Sequence, residues 1–211
     1  MRSLRFIIRV FLFLCSALSP AIGDQNLIEL SQENKPILEA VEKYLNSIST
    51  LEAKFIQVSS NGDHYEGTLK LSRPGNLRID YKPPYPVVIL ADHSYLTYFD
   101  TKLRQVSNID INQTPLSILL EKQFSFSNSG VSLEKFKHQN GVIQVSVAQT
   151  NNPQNGKLTL IFSDTPIELR KWAILDSRDI TTNVALVETT FGGHIAKEEF
   201  IFELPILDNT R

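Results

Sequence analysis

Residues 51–81 read LEAKFIQVSSNGDHYEGTLKLSRPGNLRIDY, and their periodicity decides the fold class. Leu51, Ala53 and Phe55 alternate with Glu52 and Lys54, and Asn61-Gly62 then supplies the residues that a tight hairpin turn demands. Past the turn, Gly67, Leu69 and Leu71 fall on one face and Glu66, Thr68 and Lys70 on the other. After a break at Pro74-Gly75, Leu77, Ile79 and Tyr81 alternate with Arg78, Asp80 and Lys82. A period of two sustained through three segments predicts antiparallel strands with one apolar face.

The same period recurs downstream and predicts strands around 87–91, 95–99, 103–106, 131–136, 142–147, 158–162, 169–175, 184–190 and 199–202. Two segments break the pattern. Ile37, Leu38, Val41, Tyr44, Leu45 and Ile48 recur at three- and four-residue spacing, with Pro36 suited to the first turn, which predicts an amphipathic helix. Thr114-Pro115 precedes Leu116, Ile118, Leu119 and Leu120, the pattern of a short capped helix. The expectation is a mainly β (α+β) chain, with a single curved antiparallel sheet forming an unclosed half-barrel. The few helices must cover the apolar concave face, since no other element is available to do so. A sheet of this many strands curls and can enclose a cavity. Periodicity alone fits a ligand-holding barrel and a densely packed one equally well.

The leading stretch MRSLRFIIRVFLFLCSALSPAIG has Arg2, Arg5 and Arg9 ahead of an apolar run from Val10 to Leu18, then the small residues Ala21 and Gly23. That is the layout of a secretory signal, and the run is about half of the ~20 residues that a membrane span requires. Residues 1–23 are expected to be a signal peptide and residues 24–211 a single domain. Its removal takes away the only cysteine, Cys15, and three positive charges, moving the net charge from −2 to −5. Basic residues are interspersed with acidic ones, which argues against a nucleic-acid partner and against a polybasic membrane-surface motif.

The sequence offers no motif for chemistry. G-x-S-x-G, H-E-x-x-H, G-x-G-x-x-G and P-loop patterns do not occur. The four histidines, His64, His93, His138 and His194, stand singly beside turn-like sequence and read as exposed loop residues. No catalytic residue, metal site or cofactor is expected.

Phe55-x-Gln57, the segment Gly67-Thr68-Leu69-Lys70-Leu71-Ser72-Arg73-Pro74-Gly75, Tyr95–Asp100, Thr114–Leu120, and Trp172 ahead of the 176–182 turn follow one another in an order that resembles the periplasmic outer-membrane lipoprotein carrier (LolA) family. The resemblance implies a carrier rather than an enzyme. Such a carrier takes acylated lipoproteins from an inner-membrane lipoprotein-releasing ABC transporter to the outer membrane, where a receptor, if present, accepts them. It also implies a periplasmic monomer. By position, the family arginine that bonds to the helical lid and shuts the empty cavity is Arg73. The acyl-chain cavity is expected from Phe55, Leu69, Leu71, Leu77, Ile79 and Tyr81, and the lid helix from Leu116, Ile118, Leu119 and Leu120. Read without the family, the alternatives are an exposed strand-end arginine at Arg73 and a plain core leucine at Leu77. On the cavity assignment, Leu77→Glu should impair uptake while sparing the fold. Two other classes stay open: a lipid-sensing envelope-stress module of the same fold and, less favoured, a secreted lipid hydrolase with a dispersed site. The chain ends soon after Phe202-Glu203-Leu204-Pro205, whereas some family members carry a longer terminal strand.

Amino-terminal sequencing of the exported protein should begin at Asp24. An intact leader, or retention in the membrane through it, would overturn the export reading.

Overall fold

The computed structural model describes residues 32–127 and 130–202; the leader and its cleavage point lie outside the described residues. Helix α1 (Lys35–Ser47) comes first, with a proline in its first turn and Leu38, Val41 and Leu45 on its buried stripe. It leads into a meander of six strands: β1 (Thr50–Ser59), β2 (His64–Ser72), β3 (Asn76–Tyr81), β4 (Val87–Asp92), β5 (Tyr95–Asp100) and β6 (Gln105–Asp110). Residues 111–130 hold a 3-10 turn and the short helix α2 (Ser117–Leu120). A second meander follows: β7 (Val131–Gln139), β8 (Val142–Gln149), β9 (Lys157–Asp164), β10 (Ile167–Leu175) and β11 (Thr181–Phe191).

The two meanders are joined by the antiparallel pairing of β1 with β11, in which Phe55 stands opposite Leu186 and Gln57 opposite Val184. One sheet results, in the order β6-β5-β4-β3-β2-β1-β11-β10-β9-β8-β7, with β6 and β7 as its two edges. The barrel is therefore unclosed. The 111–130 segment runs from one edge to the other, so the covalent chain bridges the gap that hydrogen bonds leave open.

The core lies on the concave face, where α1 and α2 meet inward residues of both meanders. Val41 of α1, Leu51 of β1, Leu71 of β2, Leu77 of β3, Val145 of β8, Leu158 of β9 and Ile118 of α2 are all essentially inaccessible. Tyr44 links α1 to the second meander: its ring meets Phe162 and Phe191 edge-on at 6.0 and 6.3 Å, and its hydroxyl accepts the Leu169 N–H at 3.1 Å. Burial raises the Tyr44 pKa, and the bond from the Leu169 backbone opposes that shift.

The end of the described chain departs from the expected strand at 199–202. Residues 197–200 form a 3-10 turn on the convex face of β3–β5. The Glu199 carbonyl accepts from Arg78 Nη1 at 3.1 Å, its carboxylate pairs with Lys70 at 3.0 Å, and the Phe202 ring meets Phe99 at 5.2 Å. Leu90, Phe99 and Phe200 are buried there. Apolar character at 200–202 reflects this small outer cluster rather than a further strand. His64 and His138 also differ from the loop reading, since both lie in strands, and His138 bonds to Asp164 at 3.1 Å.

Leu77 is fully buried in the core, so the expectation that Leu77→Glu spares the fold is corrected: the carboxylate has no route to water there. Leu77→Ala should lower unfolding free energy by about 2–5 kcal/mol, and Leu77→Glu should leave the chain unfolded. Denaturant titration followed by circular dichroism measures both; a Leu77→Glu protein of unchanged midpoint would overturn this packing.

Candidate functional site

The inward residues of β2 and β3 lie at successive levels along the barrel, because Leu71 pairs with Leu77, Leu69 with Ile79 and Gly67 with Tyr81. The Leu71–Leu77 level is next to the Arg73-Pro74-Gly75 turn and packs into the core with α1 and α2. Beyond it the interior opens into a cavity of about 410 Å³. Phe55, Leu69, Ile79 and Tyr81 line one side, together with Ile89 and Leu96; Trp172, Ile174 and Val184 line the other, and Leu116 and Pro115 enter from the lid. A polar rim is made by Gln57, Gln113, Asn155, Asp176, Ser177, Arg178 and Thr182.

Four of the six expected cavity residues thus line the cavity, while Leu71 and Leu77 belong to the packed core. Alternation assigns a side chain to a face of the sheet; it does not say at which level along the barrel the lid ends. Of the expected lid residues, Leu116 reaches the cavity. Ile118 and Leu119 pack instead against Leu45, Phe124, Leu158 and Leu160, where a void of only about 10 Å³ is left, and Leu120 is buried in the same core.

Gly67 shapes the wall. A Cβ there would collide with the Asp80 carbonyl oxygen and would lie 2.6 Å from Phe55 Cε1, so the absent side chain is the space that the Phe55 ring occupies. Phe55 in turn meets Tyr81 edge-on at 5.4 Å. The Tyr81 hydroxyl donates to Gln57 Oε1 at 2.8 Å. Burial pushes the Tyr81 pKa up to about 12 against the opposing effect of that bond, so the phenol stays neutral under ordinary conditions. Tyr65 and Tyr85, stacked at 4.2 Å, extend this aromatic wall, with Tyr85 meeting Tyr81 at 5.3 Å.

Arg73 sits where three elements meet. Its Nη1 donates to the Leu45 carbonyl near the end of α1 at 2.6 Å, and its Nε donates to the Glu121 carbonyl just after α2 at 2.7 Å. Burial lowers the guanidinium pKa and the Glu121 charge opposes that shift; the Glu121 carboxyl is itself raised by burial, against the pull of Arg73. The adjoining turn adds a third tie, because the Gly75 N–H donates to the Leu120 carbonyl at 2.9 Å. Gly75 has φ +81°, and a Cβ there would strike the His93 ring, so both conformation and space require glycine.

Further ties hold the 111–130 segment, and sequence reading missed them. Asn46 of α1 and the Phe124 backbone exchange two bonds of 2.8 Å, and Glu42 accepts the Phe126 N–H at 2.9 Å. On the side of the second meander, Gln149 donates to Ser117 at 2.7 Å and Asn155 to the Asn112 carbonyl at 3.2 Å. Isolated polar side chains such as these carry no spacing signal that would have marked them. Among the described residues, no group of three or more His, Cys, Asp or Glu side chains is placed to hold a metal, and no helix is long and apolar enough to cross a membrane.

The family model described as outer membrane lipoprotein carrier protein LolA matches residues 46–203, which spans β1 through β11 and the lid. The chain belongs to the LolA family. It is 26% identical over 178 residues to an outer-membrane lipoprotein carrier protein of Methylobacillus flagellatus, covering 80% of this chain and 85% of that one. It is also 25% identical over 155 residues to an uncharacterized protein of Rickettsia prowazekii, covering 74% of this chain and 71% of that one. Among solved structures, a LolA superfamily protein from Nitrosomonas europaea aligns with a TM-score of 0.45 at 8% identity, over 78% of this chain and 97% of that one.

Trp172 is the only tryptophan of the chain, lines the cavity and is 2% exposed, so its emission reports on access to the interior. Arg73→Leu removes one bond to the lid and one to α1 and should make Trp172 more accessible to acrylamide quenching, with Arg73→Lys intermediate because it lacks the planar fork of donors. Equal quenching in all three proteins would show that Arg73 does not hold the lid.

Proposed function

We propose that this protein is a periplasmic carrier that shelters the acyl chains of lipoproteins in its cavity. In this reading it accepts them from an inner-membrane lipoprotein-releasing ABC transporter and delivers them to the outer membrane, to a receptor there if one is present. It acts as a monomer, without a cofactor and without a covalent step. The observation that supports this best is an apolar cavity beneath a lid tied to the barrel by the Arg73 bond to the Glu121 carbonyl, with a second Arg73 bond to α1.

Magnitudes make the cycle workable. At about 0.8 kcal/mol per buried methylene, one long acyl chain gains on the order of 10 kcal/mol on leaving water. Hydrogen bonds from a charged donor contribute about 1.5–3 kcal/mol net. Cargo entry therefore suffices to open the Arg73 latch, and the latch in turn lessens the net stability of the loaded state. Escape into water forfeits the burial energy, so release requires an acceptor with a better apolar site. The direction of transfer then follows from the affinities of donor and acceptor, with no nucleotide hydrolysis by the carrier itself.

Mass spectrometry of material copurifying with the periplasmic protein tests the class of cargo. Intact acylated lipoproteins are expected; free lipids alone would favour a sensing role, and cleaved lipid products a hydrolytic one. When transfer to an outer-membrane acceptor is measured, preloaded Arg73→Leu should deliver cargo less readily than wild type. Loss of a latch present only in the empty closed state shifts the partition toward the loaded state by roughly 10- to 100-fold. Equal transfer from wild type, Arg73→Leu and Arg73→Lys would remove the latch from the mechanism.

A further inference from the structure

The two edges of the sheet are built differently. Edge strand β7 is guarded: a bulge interrupts it between Leu133 and Lys135, and Glu134, Lys135 and Lys137 place charge along it. Bulges and edge charges discourage a further strand from pairing. Edge strand β6 has neither defence. It keeps an unbroken register with β5 from Gln105 to Asp110, contains no proline, carries no charge before Asp110 and is exposed along its whole length. Among the described residues, no strand pairs with its outer side.

The ladder fixes which groups of β6 face outward. Ile111, just past the strand, donates its N–H to the Ser94 carbonyl at 2.9 Å, and the register carries that pairing back to Ile109 opposite Leu96 and Ser107 opposite Tyr98. Residues bonded to one neighbour alternate with residues turned the other way along an antiparallel strand. The main-chain N–H and C=O of Ile109 and Ser107 therefore face β5, and those of Val106 and Asn108 face away from the sheet.

The same edge adjoins the cavity. Leu96 lines the cavity wall, and its cross-strand neighbour Ile109 lies on the same concave face with 43% of its surface exposed. Gln113 and Thr114, just beyond the strand, line the cavity as well. Apolar surface thus continues from the cavity wall to the β6 edge.

Resting on the carrier reading, we propose that β6 is a docking edge for the cargo polypeptide: the extended stretch next to the acylated residue adds to β6 as a further strand while the acyl chain occupies the cavity. Position and chemistry select this occupant. A polypeptide joined to an acyl chain behind Leu96 leaves the interior beside Ile109, where it meets main-chain donors and acceptors and no charge that demands a particular side chain. Strand addition draws its affinity from main-chain bonds, so one edge serves cargoes of different sequence. It requires an unguarded edge, which β6 is and β7 is not.

The test uses the exported full-length chain and three palmitoyl probes: palmitoyl ethanolamide, an N-palmitoyl peptide of alternating serine and threonine, and that peptide with every peptide nitrogen methylated. Binding is measured by calorimetry and by hydrogen exchange. The plain lipopeptide should bind about ten-fold more tightly than its methylated form, the effect of one or two neutral hydrogen bonds, and should slow exchange of the Val106 and Asn108 amides. Asn108→Pro removes an outward N–H without breaking the β5 ladder; it should narrow that difference and leave palmitoyl ethanolamide binding unchanged. The two lipopeptides are compared first on the unaltered protein, so the proposal can be refuted even where the proline variant does not fold. Equal affinity for both lipopeptides, or a difference untouched in folded Asn108→Pro, would overturn the proposal while entry of palmitoyl ethanolamide preserves the carrier reading. Slow exchange of Val106 and Asn108 already in the empty protein would also overturn it, and sedimentation would then tell a second copy on β6 from a terminal segment of the same chain. Failure of all three probes to bind would overturn the carrier reading and the proposal together.

Discussion

The pairing of β1 with β11 is the constraint on which everything else depends. It joins the first strand of the domain to the last, so two locally connected meanders become one sheet whose free edges, β6 and β7, are the strands flanking the middle of the sequence. An antiparallel sheet of this breadth twists and curls, and a curled sheet with an apolar concave face needs a filling. The only segment that must cross the opening is the connection from β6 to β7, and that connection carries α2. The lid is thus a topological consequence of a barrel that is not closed by hydrogen bonds.

A lid made of one short helical turn cannot hold itself in place by helix propensity, since isolated helices of that length are not stable in water. Its position rests on bonds from its surroundings. Arg73 and Gly75 fasten its trailing end, Asn46 and Glu42 fasten the loop beyond, and Gln149 and Asn155 reach it from the second meander. Most of these use backbone carbonyls and N–H groups as partners. Each is individually modest at about 0.5–3 kcal/mol, and they add to the burial of Ile118, Leu119 and Leu120 in the core, at about 1.5–3 kcal/mol for each side chain. The contrast lies within one segment: Ile118, Leu119 and Leu120 are packed, while Leu116 faces the cavity.

The alternation in residues 51–81 was enough to read strand faces, and the order of motifs was enough to read the half-barrel. Level along the barrel was not legible. Leu71 and Leu69 belong to the same face of the same strand, yet one is core and the other cavity wall, because the difference is made by where α1 and the lid stop. Trp172 and Ile174 of β10 and Val184 of β11 complete the cavity from the opposite half of the sheet, and only the β1–β11 pairing brings them across from Phe55. The Glu199–Phe202 stretch misled for a related reason: Phe200 is buried and Phe202 half-buried, but on the convex side, in a cluster that no periodicity announces.

The polar rim answers an energetic problem that any carrier of this design faces. The cavity of about 410 Å³ opens to solvent at its polar rim, and water is retained in it only where it finds two to four polar partners. Gln57, Gln113, Asn155, Thr182 and the Asp176–Arg178 pair supply such partners around a wall that is otherwise hydrocarbon and aromatic. Water held against Leu69, Ile79 and Trp172 lacks partners on that side and is the water that an acyl chain displaces at a gain. The same division of the lining lets the empty form fold without its cargo and gives the cargo a reason to enter.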